Sequence, residues 1–192
     1  MSIILLGSTS GSITLQEPAV AGTTTLTLPA VSGTVLTTAS SGQSIPKAAL
    51  PTGSVLQVVN VTYSTQTSSS TNAQIATGLT ASITPLFSTS KILIIANLSG
   101  VAHTTNNTSV EAYLRRNTSN LYLMSLIAAA NDANSGNNTT DVGSLSTTYL
   151  DSPATTSSTS YNCTFASQQN NPTVYVQLYG ATSSMTLMVI AS

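Results

Sequence analysis

Residues 78–84 read GLTASIT, with Leu79, Ala81 and Ile83 at every second place and small or polar residues between them. A period of two is the mark of a strand that buries one face. The same alternation runs through 109–117, where Val110, Ala112 and Leu114 oppose Glu111, Tyr113 and Arg115. In 173–180, Val174, Val176 and Leu178 are expected to face one way, with Tyr175, Gln177 and Tyr179 the other. Strand-like runs also occupy 54–64, 143–151, 161–167 and 185–192. The run 91–101, KILIIANLSGV, is continuously apolar and predicts a strand buried on both faces. Residues 121–129, LYLMSLIAA, fit either a strand or a short helix. Eight or nine short strands with no long helix predict a β-sandwich over 54–192, and the jelly roll is the common eight-stranded solution. The last run reaches Ser192, which places the C-terminal residues in a sheet.

Ahead of the sandwich the period changes. Stacking 12–22 (SITLQEPAVAG) on 23–33 (TTTLTLPAVSG) superimposes Thr14 on Thr25, Leu15 on Leu26, Pro18 on Pro29, Ala19 on Ala30, Val20 on Val31 and Gly22 on Gly33. Ile4 and Gly11 stand one period earlier. Each unit is a short extended stretch closed by Pro and Gly. A unit this small cannot bury its own apolar side chains, so neighbouring chains or a partner surface must cover them. The alternative is a flexible Thr-rich leader, against which the regular Pro and Gly phasing speaks. Residues 38–53, with two prolines and two glycines, read as a linker. The expected organisation is an anchor or shaft over 1–37, a linker over 38–53 and a head over 54–192.

Composition sharpens this picture. Charged residues make up 5% of the chain, against roughly 25% in an ordinary domain. Low-charge surfaces stay soluble when much of them is covered, so the chain reads as part of an obligate assembly. Four basic residues and a net charge of −1 leave no clustered cations for nucleic acid, and no nucleic-acid partner is expected. Arg115 and Arg116, adjacent on a strand, are expected to point to opposite faces. The start of the chain has neither the basic residues nor the apolar length of a signal peptide. The nearly apolar run 121–130 is far short of the roughly 20 residues of a spanning helix, so no membrane partner is expected.

Little in the chain points to catalysis. His103 is the single histidine and has no strong ligand close in sequence, so it reads as a surface or loop residue; a zinc site would need ligands from symmetry mates. Asp132, Asn134, Asn138 and Asp141 around Gly136 loosely suggest a calcium loop but lack its closing glutamate. Asp132, Asp141 and Asp151 are the carboxylates that a glycan hydrolase would have to bring together, and Asp151 reads as a turn cap in LDSP. Cys163 is the single cysteine and is expected as a small buried hydrophobe beside Tyr161 and Phe165. No phosphate loop, nucleophile elbow or H-E-x-x-H is present. The expectation is a protein that is not an enzyme, with no catalytic residues, cofactor or metal.

The segments LPTGSVLQVV (50–59), ITPLFSTSKILI (83–94), YLDSPATTSSTSY (149–161), TVYVQLYGATSSMTLMVI (173–190) and the leader TLTLPAVSGTVLTT resemble bacteriophage fibre and virion-surface proteins, especially those of cyanophages. In that family the chain often ends soon after T-L-M-E-I; here Val189 stands in place of the acid. The resemblance implies a homotrimeric jelly-roll-like head with an N-terminal β-segment that attaches it to the particle. It implies a location on the virion surface, capsid or tail, after synthesis in the host bacterium's cytoplasm. Partners would be further copies of the chain, capsid or tail proteins met by residues 1–45, and a host-surface glycan. Two roles follow: a capsid decoration, cement or head-fibre protein, or a short tail fibre for host attachment. Forty-five residues reach at most about 150 Å at ~3.3 Å each, which favours decoration over a long-reaching receptor fibre. Tyr113, Tyr122, Tyr149 and Tyr179, with loops 103–109 and 131–141, are the candidate glycan contacts, because aromatic faces stack on sugars and Asn side chains hydrogen-bond them.

Overall fold

The computed structural model describes residues 3–6, 9–10, 12–15, 47, 50–103, 109–128, 141–168 and 171–192, in two units, 1–44 and 45–192. In the first unit, β1 (Ile3–Leu6) and β2 (Ser12–Leu15) pair antiparallel, from Ile3 opposite Leu15 to Leu6 opposite Ser12. Successive repeats thus form a two-stranded ribbon, with Ile4 and Leu6 exposed at 60% and 83%. The later repeats and residues 38–46 of the expected linker lie outside the described residues.

The second unit is a sandwich of β3 (Val55–Tyr63), β4 (Thr67–Ser69), β5 (Ile75–Ile83), β6 (Lys91–His103), β7 (Ser109–Arg116), β8 (Ser119–Ala128), β9 (Asp141–Asp151), β10 (Thr159–Gln168), β11 (Val174–Val176) and β12 (Ser183–Ile190). One sheet has the order β5-β10-β7-β8. In the other, β12 and β11 lie end to end along one edge of β6, and β9 lies along its other edge. β3 and β4 in turn line β12 and β11. Taking β3–β4 as the first strand and β11–β12 as the last, the sheets read 1-8-3-6 and 2-7-4-5. That order is the jelly roll, two Greek keys folded into a double sheet. The ambiguous run at 121–129 is a strand, β8.

The alternating residues fill the space between the sheets. Leu79, Ala81 and Ile83 of β5, Ile92, Ile94, Ala96 and Leu98 of β6, and Val110, Ala112 and Leu114 of β7 are all buried there. Tyr161 and Phe165 supply the largest buried side chains. Cys163 lies between them, fully buried, with its thiol 3.8 Å from the Met124 sulfur.

Three expectations need correction. β6 is not buried on both faces: Ile92, Ile94, Ala96 and Leu98 point inward, while Ile95 on the opposite face is 43% exposed, because no described strand of the sandwich packs over that side. The run 173–180 does not continue as one strand. It ends at Val176, Gln177 and Tyr179 adopt φ of +54° and +57°, and a short 3-10 turn spans Leu178–Gly180. Gln177 is consequently buried, donating from Nε2 to Ser183 Oγ at 2.9 Å. His103 is buried at the end of β6 rather than exposed.

Candidate functional site

The outer faces of the two sheets differ in kind. On the β6-containing sheet, strand register sets Val58 opposite Met188, Met188 opposite Leu93, and Leu93 opposite Leu150. One apolar row therefore crosses all four strands, with Val58 56% and Leu150 50% exposed. Ile95 lies in the next row, between Thr186 and Thr148. Val55, opposite Ile190, extends the patch, and Lys91 stands at its margin. Further along, the face is polar but uncharged: Asn60 donates to Thr186 Oγ1 at 2.8 Å, and Ser146 donates to Asn97 Oδ1 at 2.7 Å.

The β5-β10-β7-β8 sheet presents a polar floor. Glu111 accepts hydrogen bonds from Gln74 Nε2 at 2.7 Å and Gln168 Nε2 at 2.9 Å on one oxygen, and from the Tyr113 hydroxyl at 3.2 Å on the other. The Glu111 carboxylate raises the pKa of the Tyr113 phenol above its ordinary value, chiefly through its negative charge, so the hydroxyl stays a donor. Beside this cluster lies an open depression of about 390 Å³ lined by β5, β10 and Arg115 of β7. Its cause is local. The β5–β10 register slips between Asn162 and Thr164, and β5 bulges at Thr77–Leu79 around Gly78, whose φ is +86°. Thr77 steadies the bulge by donating to Cys163 O at 3.0 Å and accepting from Leu79 N at 3.2 Å. At φ +86° any side chain on Gly78 is strained, and a Cβ there would also have to displace the Tyr63 ring, 2.2 Å away, so the bulge favours glycine.

Of the four tyrosines singled out in the sequence, the structure brings two together. Tyr122 and Tyr149 have ring centroids 6.0 Å apart at 44°, joining edge strands β8 and β9 across the two sheets. Tyr113 belongs to the polar floor, and Tyr179, 84% exposed, sits apart in the 3-10 turn. Residues 104–108 and 129–140, with Asp132, Asn134 and Asn138 of the candidate calcium loop, lie outside the described residues, while Asp141 begins β9 opposite His103. Among the described residues no three His, Cys, Asp or Glu side chains gather as a metal site, and no helix is long and apolar enough to cross a membrane. Sequence reading missed Gln74, Asn162 and Thr164, because what unites them is a register slip; Gly78 inside an alternating strand was the available signal.

Asp151 does not cap a turn. It is buried, accepts from the Tyr161 hydroxyl at 2.7 Å, and has Arg116 Nη1 at 3.0 Å from both its oxygens. Arg115 points to the opposite face, as alternation requires, and donates to Thr118 O.

No family model matches the chain, and no curated protein matches it. It is similar to solved structures of infectious bursal disease virus. With the VP2 subviral particle it shares 15% identity at a TM-score of 0.40, over 70% of this chain and 32% of that one. With the T13 viral particle the values are 12%, 0.42, 70% and 31%, and with the Gx strain 15%, 0.39, 70% and 32%. The chain thus spans about a third of the length of those chains. The likeness is one of β fold, and the jelly-roll assignment rests on strand order.

Proposed function

We propose that this chain is a non-enzymatic structural protein of a bacteriophage virion surface: a trimeric capsid decoration or head-fibre protein, attached through residues 1–45 and projecting its jelly-roll head. The observation that carries the reading is the uncovered row Val58–Met188–Leu93–Leu150. The sequence of β6 is written for burial on both faces, and the described strands of the sandwich cover one. Already half buried, each such side chain gains about 1 kcal/mol more on full burial, roughly half of the whole transfer. The occupant that suits a nearly uncharged face is another copy of it, since no charge needs a counterpart; three faces turned to one axis cover each other. The count of three comes from the sequence resemblance. The exposed Ile4 and Leu6 support attachment, because an isolated two-stranded ribbon is at best marginally stable until something covers it.

A second reading, a short tail fibre whose head binds a host-surface receptor, is favoured by the open depression on the opposite sheet. One sedimentation experiment tests both. The full chain is expected to sediment as a trimer and to bind isolated capsids, whereas a chain lacking 1–37 stays trimeric and does not bind. The pair Val58→Lys and Leu150→Lys, on side chains already half exposed, is expected to give a folded monomer. A monomeric wild-type chain overturns the interface. Binding to isolated tails instead of capsids makes the protein a tail fibre.

A further inference from the structure

We infer that the two free edges of the β6-containing sheet pair between copies, β3 of one chain against β9 of the next. Three sheets then close into one antiparallel wall around the axis. β3 hydrogen-bonds along its length to β12 and β9 to β6, so each leaves one side of its backbone open among the described strands. Natural proteins guard such edges with charge, proline, bulges or a covering segment. Here the guards are missing. β3 carries no charge and no proline, and β9 carries charge only at its terminal Asp141 and Asp151. Their ladders run without a shift over residues 57–63 and 144–151. The edges of the opposite sheet are irregular instead, for the β5 ladder slips beside Gly78 and the β7–β8 ladder shifts twice.

The two edges match each other row by row. The apolar row ends in Val58 on one edge and Leu150 on the other, and the next rows end in Asn60 and Thr148, then in Thr62 and Ser146. Turning copies about an axis along the strands keeps each row level. Val58 then meets Leu150 of the next chain, and uncharged polar residues meet one another above it. Direction agrees, since three antiparallel steps leave β3 and β9 antiparallel. Backbone parity agrees as well. Hydrogen-bonded and non-hydrogen-bonded pairs alternate across a row, so after three steps the groups at both ends point alike, both outward or both inward. Width agrees too. Twelve strands at ~4.8 Å make three walls about 19 Å wide, each roughly 5.5 Å from the axis, close to half the ~10 Å between packed sheets. The side chains of the apolar row would therefore meet at the axis. The inference rests on the trimer reading and adds to it a strand pairing that the sequence resemblance does not imply.

Oxidative cross-linking of the full chain carrying both Val58→Cys and Leu150→Cys is the test, with Cys163 buried and out of reach. Paired edges bring the two Cα atoms to about 5 Å, within disulfide range, whereas like positions around the axis stand about 19 Å apart. A denaturing gel is expected to show three linked chains that reduction returns to one, while each single variant runs as one chain. Amide exchange on the wild type reads the same pairing without a variant. All amides of 57–63 and 145–151 are expected to be protected, and in the Val58→Lys, Leu150→Lys chain alternate ones should exchange at least a hundredfold faster. The pairing is overturned, and the trimer kept, if the wild type sediments as a trimer while alternate amides of 57–63 exchange freely. A single variant that cross-links to a dimer, or a doubly substituted trimer that stays unlinked, overturns it likewise. A monomeric wild type overturns pairing and trimer together.

Discussion

Asp151 ties the two sheets together through side chains. It ends β9 of one sheet, while Arg116 and Tyr161 belong to β7 and β10 of the other. Only 7% of the Asp151 side chain is exposed, against 31% for Arg116, so the pair is shielded on one side and screened on the other. Removing the carboxylate leaves a buried phenol and a half-buried guanidinium without their acceptor. We expect Asp151→Ala to cost about 3 kcal/mol in urea denaturation, and Tyr161→Phe about 1 kcal/mol. The double variant should fall short of the sum by about 1 kcal/mol or more, because the orphaned hydroxyl is then gone. Full additivity would mean that the hydroxyl and carboxylate do not act on one another. Nothing in the sequence pairs these residues, since the approach is made by the sandwich. By contrast, the opposite facing of Arg115 and Arg116 follows from strand alternation alone.

Strands were legible where a side chain had only to choose between core and outside, as with Leu79, Ala81 and Ile83. They were not legible where one strand yields to another. The run 173–180 keeps a perfect alternation in sequence and still breaks after Val176, because β6 offers room for a turn at Gly100. There the β6–β9 register shifts between Ser99 and Val101, Gly100 takes φ of +63°, and Gln177 N donates to Ser99 O at 2.9 Å. A Cβ at Gly100 would lie 2.6 Å from Leu178 N and 2.8 Å from Ala181 Cβ. Backbone cannot step aside as a flexible side chain can. Gly100→Ala should therefore cost about 2–4 kcal/mol, from left-handed strain of about 1–2 kcal/mol plus the displaced turn. A change below about 1 kcal/mol would show that the turn is free to move. The depression beside the Glu111 cluster has the same origin. It follows from a bulge at Gly78, so its residues share no spacing that a periodic pattern could reveal.

For the whole molecule, scarcity of charge decides how stability responds to pH. Two acids are held neutral in the interior. Burial pushes the Cys163 thiol from 9.0 up to about 12. Burial, then the hydrogen bond to Asp151, raises the Tyr161 phenol well above its ordinary 10.0, with Arg116 opposing weakly. A raised acid binds its proton more tightly in the folded state, so its contribution is intact below the unfolded pKa and falls as pH rises beyond it. The loss is about 1.4 kcal/mol per pH unit for each group. Between pH 9 and 10 Cys163 contributes, and above pH 10 Tyr161 adds to it, with a smaller, solvent-screened part from Tyr113 beside Glu111. At fixed protein concentration, the urea stability of the wild type should be level from pH 8 to 9 and then decline, more steeply past pH 10. Cys163→Ala should stay level to pH 10, and Tyr161→Phe should lose most of the steeper part, the remainder belonging to Tyr113. A Cys163→Ala profile that declines like the wild type would place the alkaline limit elsewhere, in the few surface cations. Among the described residues, Lys91 is the one charge at the margin of the apolar row on the outer face of the β6-containing sheet, so a contact made through that row would rest on apolar cover rather than on ion pairing.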